Sequence, residues 1–99
     1  MTEIESKIIK QLNKDLSLAG YPELCSVDYS MEENINTLSS WISLESKINF
    51  SGFSQFLYSI DLNESYFDSV GQIDQESLTL HILNRLKNKV INREKFSNI

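Results

Sequence analysis

The stretch that decides the fold is SLTLHILNRLKNKVINREKF, residues 77–96. Apolar residues recur within it at every fourth position: Leu78, Ile82, Leu86 and Val90. Side chains four positions apart lie on one face of an α-helix, one turn above the other. The pattern therefore predicts a long final helix, residues 74–96, that buries this face against the rest of the chain.

Shorter segments of the same kind precede the final helix. Thr2 with Glu5, and Ser30 with Glu33, match the capping box, in which the two side chains satisfy free N–H groups at a helix start. Gly20 stands where a helix C-terminus is expected. Helices are predicted at 3–18, 31–48, 52–60 and 63–70, in addition to 74–96. We expect an all-α fold, a compact single-domain bundle of four or five helices formed by residues 1–99.

The charge distribution of the chain separates an acidic body from a basic end. The chain has 99 residues and a net charge of −5, with −9 in residues 1–83 and +4 in residues 84–99. A protein devoted to nucleic acid is usually basic overall, so nucleic acid is an unlikely partner. No apolar segment has the length of a signal or a membrane span, and the single cysteine suits a reducing compartment. We expect a cytoplasmic protein with no membrane association.

Residues suited to catalysis or metal binding are few. His81 is the only histidine and Cys25 the only cysteine, whereas a zinc site needs three or four ligands at matched spacing. No nucleotide-binding or hydrolase motif is present. Carboxylate pairs such as Glu32 and Glu33 stand near predicted helix starts, where the helix dipole stabilises them. The sequence predicts no enzyme, no metal and no cofactor; a small enzyme or ligand-binding domain is the least favoured alternative.

The basic residues of the final helix fall on different faces. Arg85, Lys89 and Arg93, here called the cationic row, are spaced by four and lie beside the apolar stripe. Lys87 and Lys95 project elsewhere and should be solvated. A row so placed packs its aliphatic stems on neighbouring helices, and its charges meet carboxylates of the same chain or an external partner.

A tyrosine and two acids complete the candidate site. Tyr58 projects away from the apolar face of its helix and is close in sequence to Asp61 and Glu64. Tyrosine and arginine are enriched at the energetic centres of protein interfaces. Tyr58, Asp61 and Glu64 together with the cationic row are thus a candidate interaction surface or a structural ion-pair cluster.

This surface favours a non-catalytic acidic intracellular protein that acts through protein–protein contact. The partner is another protein or a second copy of the chain, which would form a homodimer. The alternative is an inhibitor or immunity-type protein whose acidic surface mimics nucleic acid.

Two segments, FLYSIDLNES (56–65) and NRLKNKVINREK (84–95), resemble a group of short, uncharacterised bacterial helical proteins. In that group an LLYRID-like segment precedes a helix that ends in an R…K…R pattern. The matching positions are Leu57, Tyr58, Ile60, Asp61, Glu64, Arg85, Lys89 and Arg93, and Ser59 stands where the group has arginine. The resemblance covers the second half of the chain and implies a small helical domain without a known activity.

Overall fold

The computed structural model describes residues 1–62 and 75–97 of the chain. Within these ranges the structure contains α1 (Glu3–Leu18), α2 (Met31–Ile48), α3 (Phe50–Ser59) and α4 (Gln75–Ser97), and no strand. Helix α4 packs against α1 and α2, and α3 packs against the same two helices. The predicted all-α fold is confirmed, and the predicted helix at 63–70 lies outside the described residues. None of the described helices combines the length and apolarity needed to cross a membrane.

The start of α3 differs from the predicted start at residue 52. Asn49 ends α2, and its Oδ1 accepts a hydrogen bond of 3.2 Å from the backbone N–H of Gly52. Asparagine is among the preferred N-cap residues, so one residue both ends α2 and starts α3 at Phe50. Gly52 allows this close turn, because a Cβ atom there would lie 2.7 Å from the Tyr21 hydroxyl.

The hydrophobic core lies between the four helices and draws residues from each. Its almost completely buried members are Ile9, Leu12, Leu16, Leu38, Ile42, Phe53, Phe56, Leu57, Ile60, Leu78, Ile82 and Leu86. The Trp41 ring meets Phe53 and Phe56 edge-on, each with ring centroids 5.5 Å apart. Burial of one large apolar side chain contributes about 1.5 to 3 kcal/mol to stability. The stripe that predicts α4 is therefore its buried face.

Two buried or half-buried asparagines hold the connection between α1 and α2 against the core. The side chain of Asn13 donates to the carbonyl of Cys25 at 2.8 Å and accepts from its N–H at 3.3 Å. Asn34 does the same for Ser26, at 2.8 and 3.0 Å. Because these amides satisfy the backbone groups that a buried loop would leave unpaired, Cys25 packs in the core without regular secondary structure.

Helix α1 ends in a Schellman motif. The N–H of Gly20 donates to Ser17 O at 3.0 Å, and the N–H of Tyr21 donates to Leu16 O at 2.9 Å. This geometry places Gly20 at φ 91°, in the left-handed region that favours glycine.

Replacement of Gly20 tests the backbone conformation at this turn. A Cβ atom at this position would meet no other atom within 4 Å, so only the backbone conformation is strained. We expect Gly20→Ala to lower the free energy of unfolding by about 1 kcal/mol. Gly20→Asn should lower it less, because asparagine tolerates this conformation better. Urea denaturation measures both, and an alanine variant as stable as the native protein would contradict the assignment.

Candidate interaction surface on the first and last helices

A row of polar side chains borders the buried face of α1. Lys7, Gln11 and Asp15 each precede a buried apolar residue and, like the cationic row, are spaced by four. Helices α1 and α4 run antiparallel, so Lys7 meets the far end of α4 and Asp15 meets its middle. Asp15 meets Lys89, Gln11 meets Arg93, and Lys7 meets Glu94 along one line, which we call the α1/α4 seam.

Asp15 is the buried charge of this seam. Its side chain is only 2% exposed, and both carboxylate oxygens accept hydrogen bonds of 3.2 Å from Nζ of Lys89. Gln11 donates a further bond of 3.2 Å from Nε2. Asp15 stands in the last turn of α1, where the helix dipole disfavours a negative charge. The ammonium group of Lys89 therefore offsets both the lost hydration and the dipole, and it has a structural role.

Arg93 has a neutral partner in the seam. Its Nη1 donates to Oε1 of Gln11 at 2.9 Å, while the amide nitrogen of the same glutamine donates to Asp15. The sequence predicts a carboxylate of this chain or an external partner opposite the cationic row, and the structure places the neutral amide of Gln11 beside Arg93. Among the described residues no carboxylate lies within ion-pair distance of this guanidinium, and Arg93 is exposed.

Arg85 stabilises the turn that ends α3. Its Nη2 lies 2.9 Å from Oδ2 of Asp61, and its Nε donates to the carbonyl of Ile60 at 3.2 Å. Asp61 has φ 64°, and its N–H donates to Tyr58 O at 3.1 Å, as in the Schellman motif of α1. Aspartate enters this region more readily than most residues. The ion pair is solvent-exposed and is worth at most about 1 kcal/mol.

The predicted candidate residues are therefore divided by the structure. Arg85 and Asp61 meet at the end of α3, whereas Lys89 and Arg93 contact α1. Tyr58 is 61% exposed, and Glu64 lies outside the described residues.

Sequence reasoning did not identify Asp15 and Gln11 as partners of the cationic row. The polar row on α1 and the cationic row on α4 both have a spacing of four residues beside an apolar stripe. In an antiparallel pair of helices this shared spacing lets residues of one row contact residues of the other, and it is the sequence signal that could have identified these partners.

A groove with basic walls opens beside the seam. It has a volume of about 340 Å³ and is lined by Lys7, Lys10, Gln11, Lys14, Val90, Arg93 and Glu94; we call it the basic groove. Glu94 and Glu3 pair with Lys7 and raise the pKa of its ammonium group above the ordinary value. Lys10 and Lys14 are exposed, and neither has a carboxylate partner among the described residues. The lining carries a net charge of +3, and the remainder of the chain carries −8.

The residues with the greatest chemical reactivity are separated from this groove. Cys25 is 4% exposed, and burial raises the pKa of its thiol to about 11. The thiol is therefore protonated near neutral pH, which makes it a poor nucleophile. His81 is exposed on α4. Within residues 1–62 and 75–97 no cluster of three His, Cys, Asp or Glu side chains is placed to hold a metal ion.

Comparison of the chain with known protein families, curated proteins and solved structures finds no match. The resemblance of residues 56–65 and 84–95 to short bacterial helical proteins stays a prediction. Proposals about function therefore rest on the residues of this chain.

The burial of Asp15 predicts an asymmetric response to mutation. Lys89→Met leaves a buried carboxylate without its cation, so we expect a loss of about 2 kcal/mol, moderated because Lys89 is partly exposed. Asp15→Asn keeps an acceptor for Gln11 and lets the lysine turn to solvent, so it should cost less, about 1 kcal/mol. Lys87→Met, on the exposed face of α4, is the control and should cost less than about 0.5 kcal/mol. Equal losses in the Lys89 and Lys87 variants would show that the Asp15 contact is dispensable.

The buried thiol predicts a pH dependence of stability. The folded-state pKa of Cys25 is about 11 and its ordinary value is 9.0, so the folded chain retains a proton that the unfolded chain releases in this interval. The free energy of unfolding contributed by this group is intact below pH 9.0 and falls as the pH rises towards 11. Urea titrations across the interval should show a steeper decline for the native protein than for Cys25→Ala. Parallel declines would contradict burial of the thiol.

Proposed function

We propose that this protein is a non-catalytic, acidic cytoplasmic domain that acts by binding another protein. The observation that carries the proposal is an exposed apolar surface on α2, which the other described helices do not cover. Leu44 is 58% exposed and Ile48 is 68% exposed, and the two side chains lie one helical turn apart.

Helix α2 is more apolar than the described core requires. Leu38 and Ile42 are completely buried and define its core-facing side. On a helical wheel Ile48 and Leu44 lie about 80° and 120° from Leu38, with Trp41 between them and the core. The apolar stripe thus continues beyond the core edge into solvent. An apolar surface that folding does not cover is typical of a protein-binding site.

Other features of the surface support protein binding over catalysis. Tyr58 is 61% exposed, and tyrosine provides large contact area at small entropic cost. The thiol of Cys25 is buried and protonated near neutral pH, and the Lys89 ammonium is engaged by Asp15. The Cys25 thiol and the Lys89 ammonium group thus have contacts within the fold. The side chains of Leu44 and Ile48 are exposed and can contact a partner or a second copy.

Affinity capture of the tagged full-length chain from its native cells, with quantitative mass spectrometry, tests this proposal. We expect Leu44→Glu/Ile48→Glu to reduce recovery of the principal partner at least about tenfold, since charges would enter an apolar interface. Asn36→Glu is the control, because it adds a charge at an exposed position of α2 that lies about two helical turns before Leu44.

Light scattering of the purified native chain and of the α2 double variant tests whether the partner is a second copy of the chain. If the native chain is a dimer, the α2 double variant should be a monomer. A monomeric native chain whose captured proteins are unchanged by the double variant would refute the proposal. Recovery of a basic nuclease or toxin that binds acidic residues of this chain would favour the alternative function, an inhibitor or immunity-type protein.

A further inference from the structure

We infer that the basic groove between α1 and α4 binds an acidic segment of a partner protein, in which carboxylates are interspersed with apolar side chains. The inference rests on the proposed protein-binding function and adds a second contact site together with the chemistry of the segment it takes. Charge complementarity favours an acidic occupant. The shape and lining of the groove favour a short protein segment that also carries apolar side chains.

The groove concentrates uncompensated positive charge in an acidic protein. Lys10, Lys14 and Arg93 have no carboxylate partner among the described residues, and the chain outside the groove carries −8. Charges beyond about 10 Å are largely screened at 0.1 M salt, so a bound group responds chiefly to the nearby cations. A short acidic segment is therefore attracted at this place, while the rest of the surface repels it.

Two cations of the groove, one on each helix, are held in place before any partner binds. Gln11 accepts a hydrogen bond from Nη1 of Arg93, and Glu94 holds the ammonium group of Lys7. A guanidinium has five N–H donors in a fixed fork, so Arg93 retains donors for a carboxylate. Because these side chains are ordered in the unbound chain, less conformational entropy is lost on binding.

The floor of the groove is suited to an apolar side chain. Val90 lines the groove from α4 and is 6% exposed. The aliphatic stems of Lys10 and Lys14 extend this apolar surface while their ammonium groups remain in water. Lys10 and Lys14 stand one helical turn apart, about 6 Å, which is close to the spacing of about 6.8 Å between alternate residues of an extended segment.

The same lining disfavours nucleic acid as the occupant. Single-stranded nucleic acid is bound by stacking of bases on aromatic rings along an extended cationic track. The described lining contains no aromatic residue, and its cations belong to one short groove in a chain of net charge −5. A long polyanion would extend over acidic surface, whereas a short protein segment would not.

Fluorescence anisotropy with the full-length chain tests the inference with three labelled probes. One is a peptide of alternating glutamate and leucine, the second replaces each glutamate by glutamine, and the third is an oligothymidylate of equal length. We expect the glutamate peptide to bind at least about tenfold more tightly than the other two, with affinity that falls as salt rises. No binding of the glutamate peptide, or tighter binding of the oligothymidylate, would overturn the inference.

Charge-reversal variants locate the contact. Lys10→Glu/Lys14→Glu should weaken binding of the glutamate peptide at least about tenfold. Lys47→Glu/Lys87→Glu changes the net charge equally at two exposed lysines outside the groove and should retain most of the affinity. Circular dichroism verifies that both are folded, and Lys10→Gln/Lys14→Gln gives a second, uncharged variant. Equal affinity in the groove and control variants would overturn the inference.

Two further measurements separate this inference from the proposed function. Leu44→Glu/Ile48→Glu should still bind the glutamate peptide, because α2 contributes no residue to the groove. If the captured partner depends on α2 and not on the groove lysines, the proposed function stands and this inference fails. If peptide binding requires the groove lysines but no protein is captured, the proposed function fails. A native dimer that the groove variant converts to a monomer would identify a second copy as occupant and overturn the partner assigned here.

Discussion

One buried carboxylate constrains how the first and last helices can meet. Asp15 is nearly inaccessible to water, and it lies in the last turn of α1, where the helix dipole opposes its charge. Only a cation at that depth makes the arrangement tolerable, and Lys89 provides it with bonds to both oxygens. A shift of α4 by one turn would bring Arg85 or Arg93, which are also cations, opposite Asp15. The observed register is the one in which Lys89 meets Asp15 while Leu78, Ile82 and Leu86 are buried.

The remaining features of the seam follow from that register. Gln11 lies between Asp15 and Arg93 and uses both ends of its amide, so the buried charge and the exposed guanidinium belong to one hydrogen-bond network. Lys7 reaches Glu94 at the far end. In the seam, Lys7, Gln11 and Asp15 bind side chains of α4. Lys10 and Lys14 lie on the adjacent face of α1, outside the seam. The structural role of one face of α1 thus leaves the neighbouring face exposed, and it is there that we propose an acidic segment binds.

Local rules predicted most of the secondary structure, because each acts over a few residues. The capping box of Thr2 and Glu5 is present. The Thr2 N–H donates to the Glu5 carboxylate at 2.9 Å, and the Glu5 N–H donates to the Thr2 hydroxyl at 3.2 Å. The bounds of α1 and α2 agree with those predicted from the sequence. Helix α3 starts two residues before the predicted position, since Asn49 both ends α2 and caps α3. The candidate site was less predictable: Arg85 does meet Asp61, but Asp15, Gln11 and the basic groove depend on which helices become neighbours.

The sequence by itself determined the all-α class, the main helices and the face that each presents to the core, because hydrophobic periodicity and end-capping are properties of contiguous residues. Only the tertiary structure decided that Lys89 meets Asp15, that Arg93 meets a neutral amide, and that Leu44 and Ile48 remain outside the core. The physical reason is separation along the chain: Lys89 and Asp15 are 74 residues apart, and no local pattern records which distant row a helix will face.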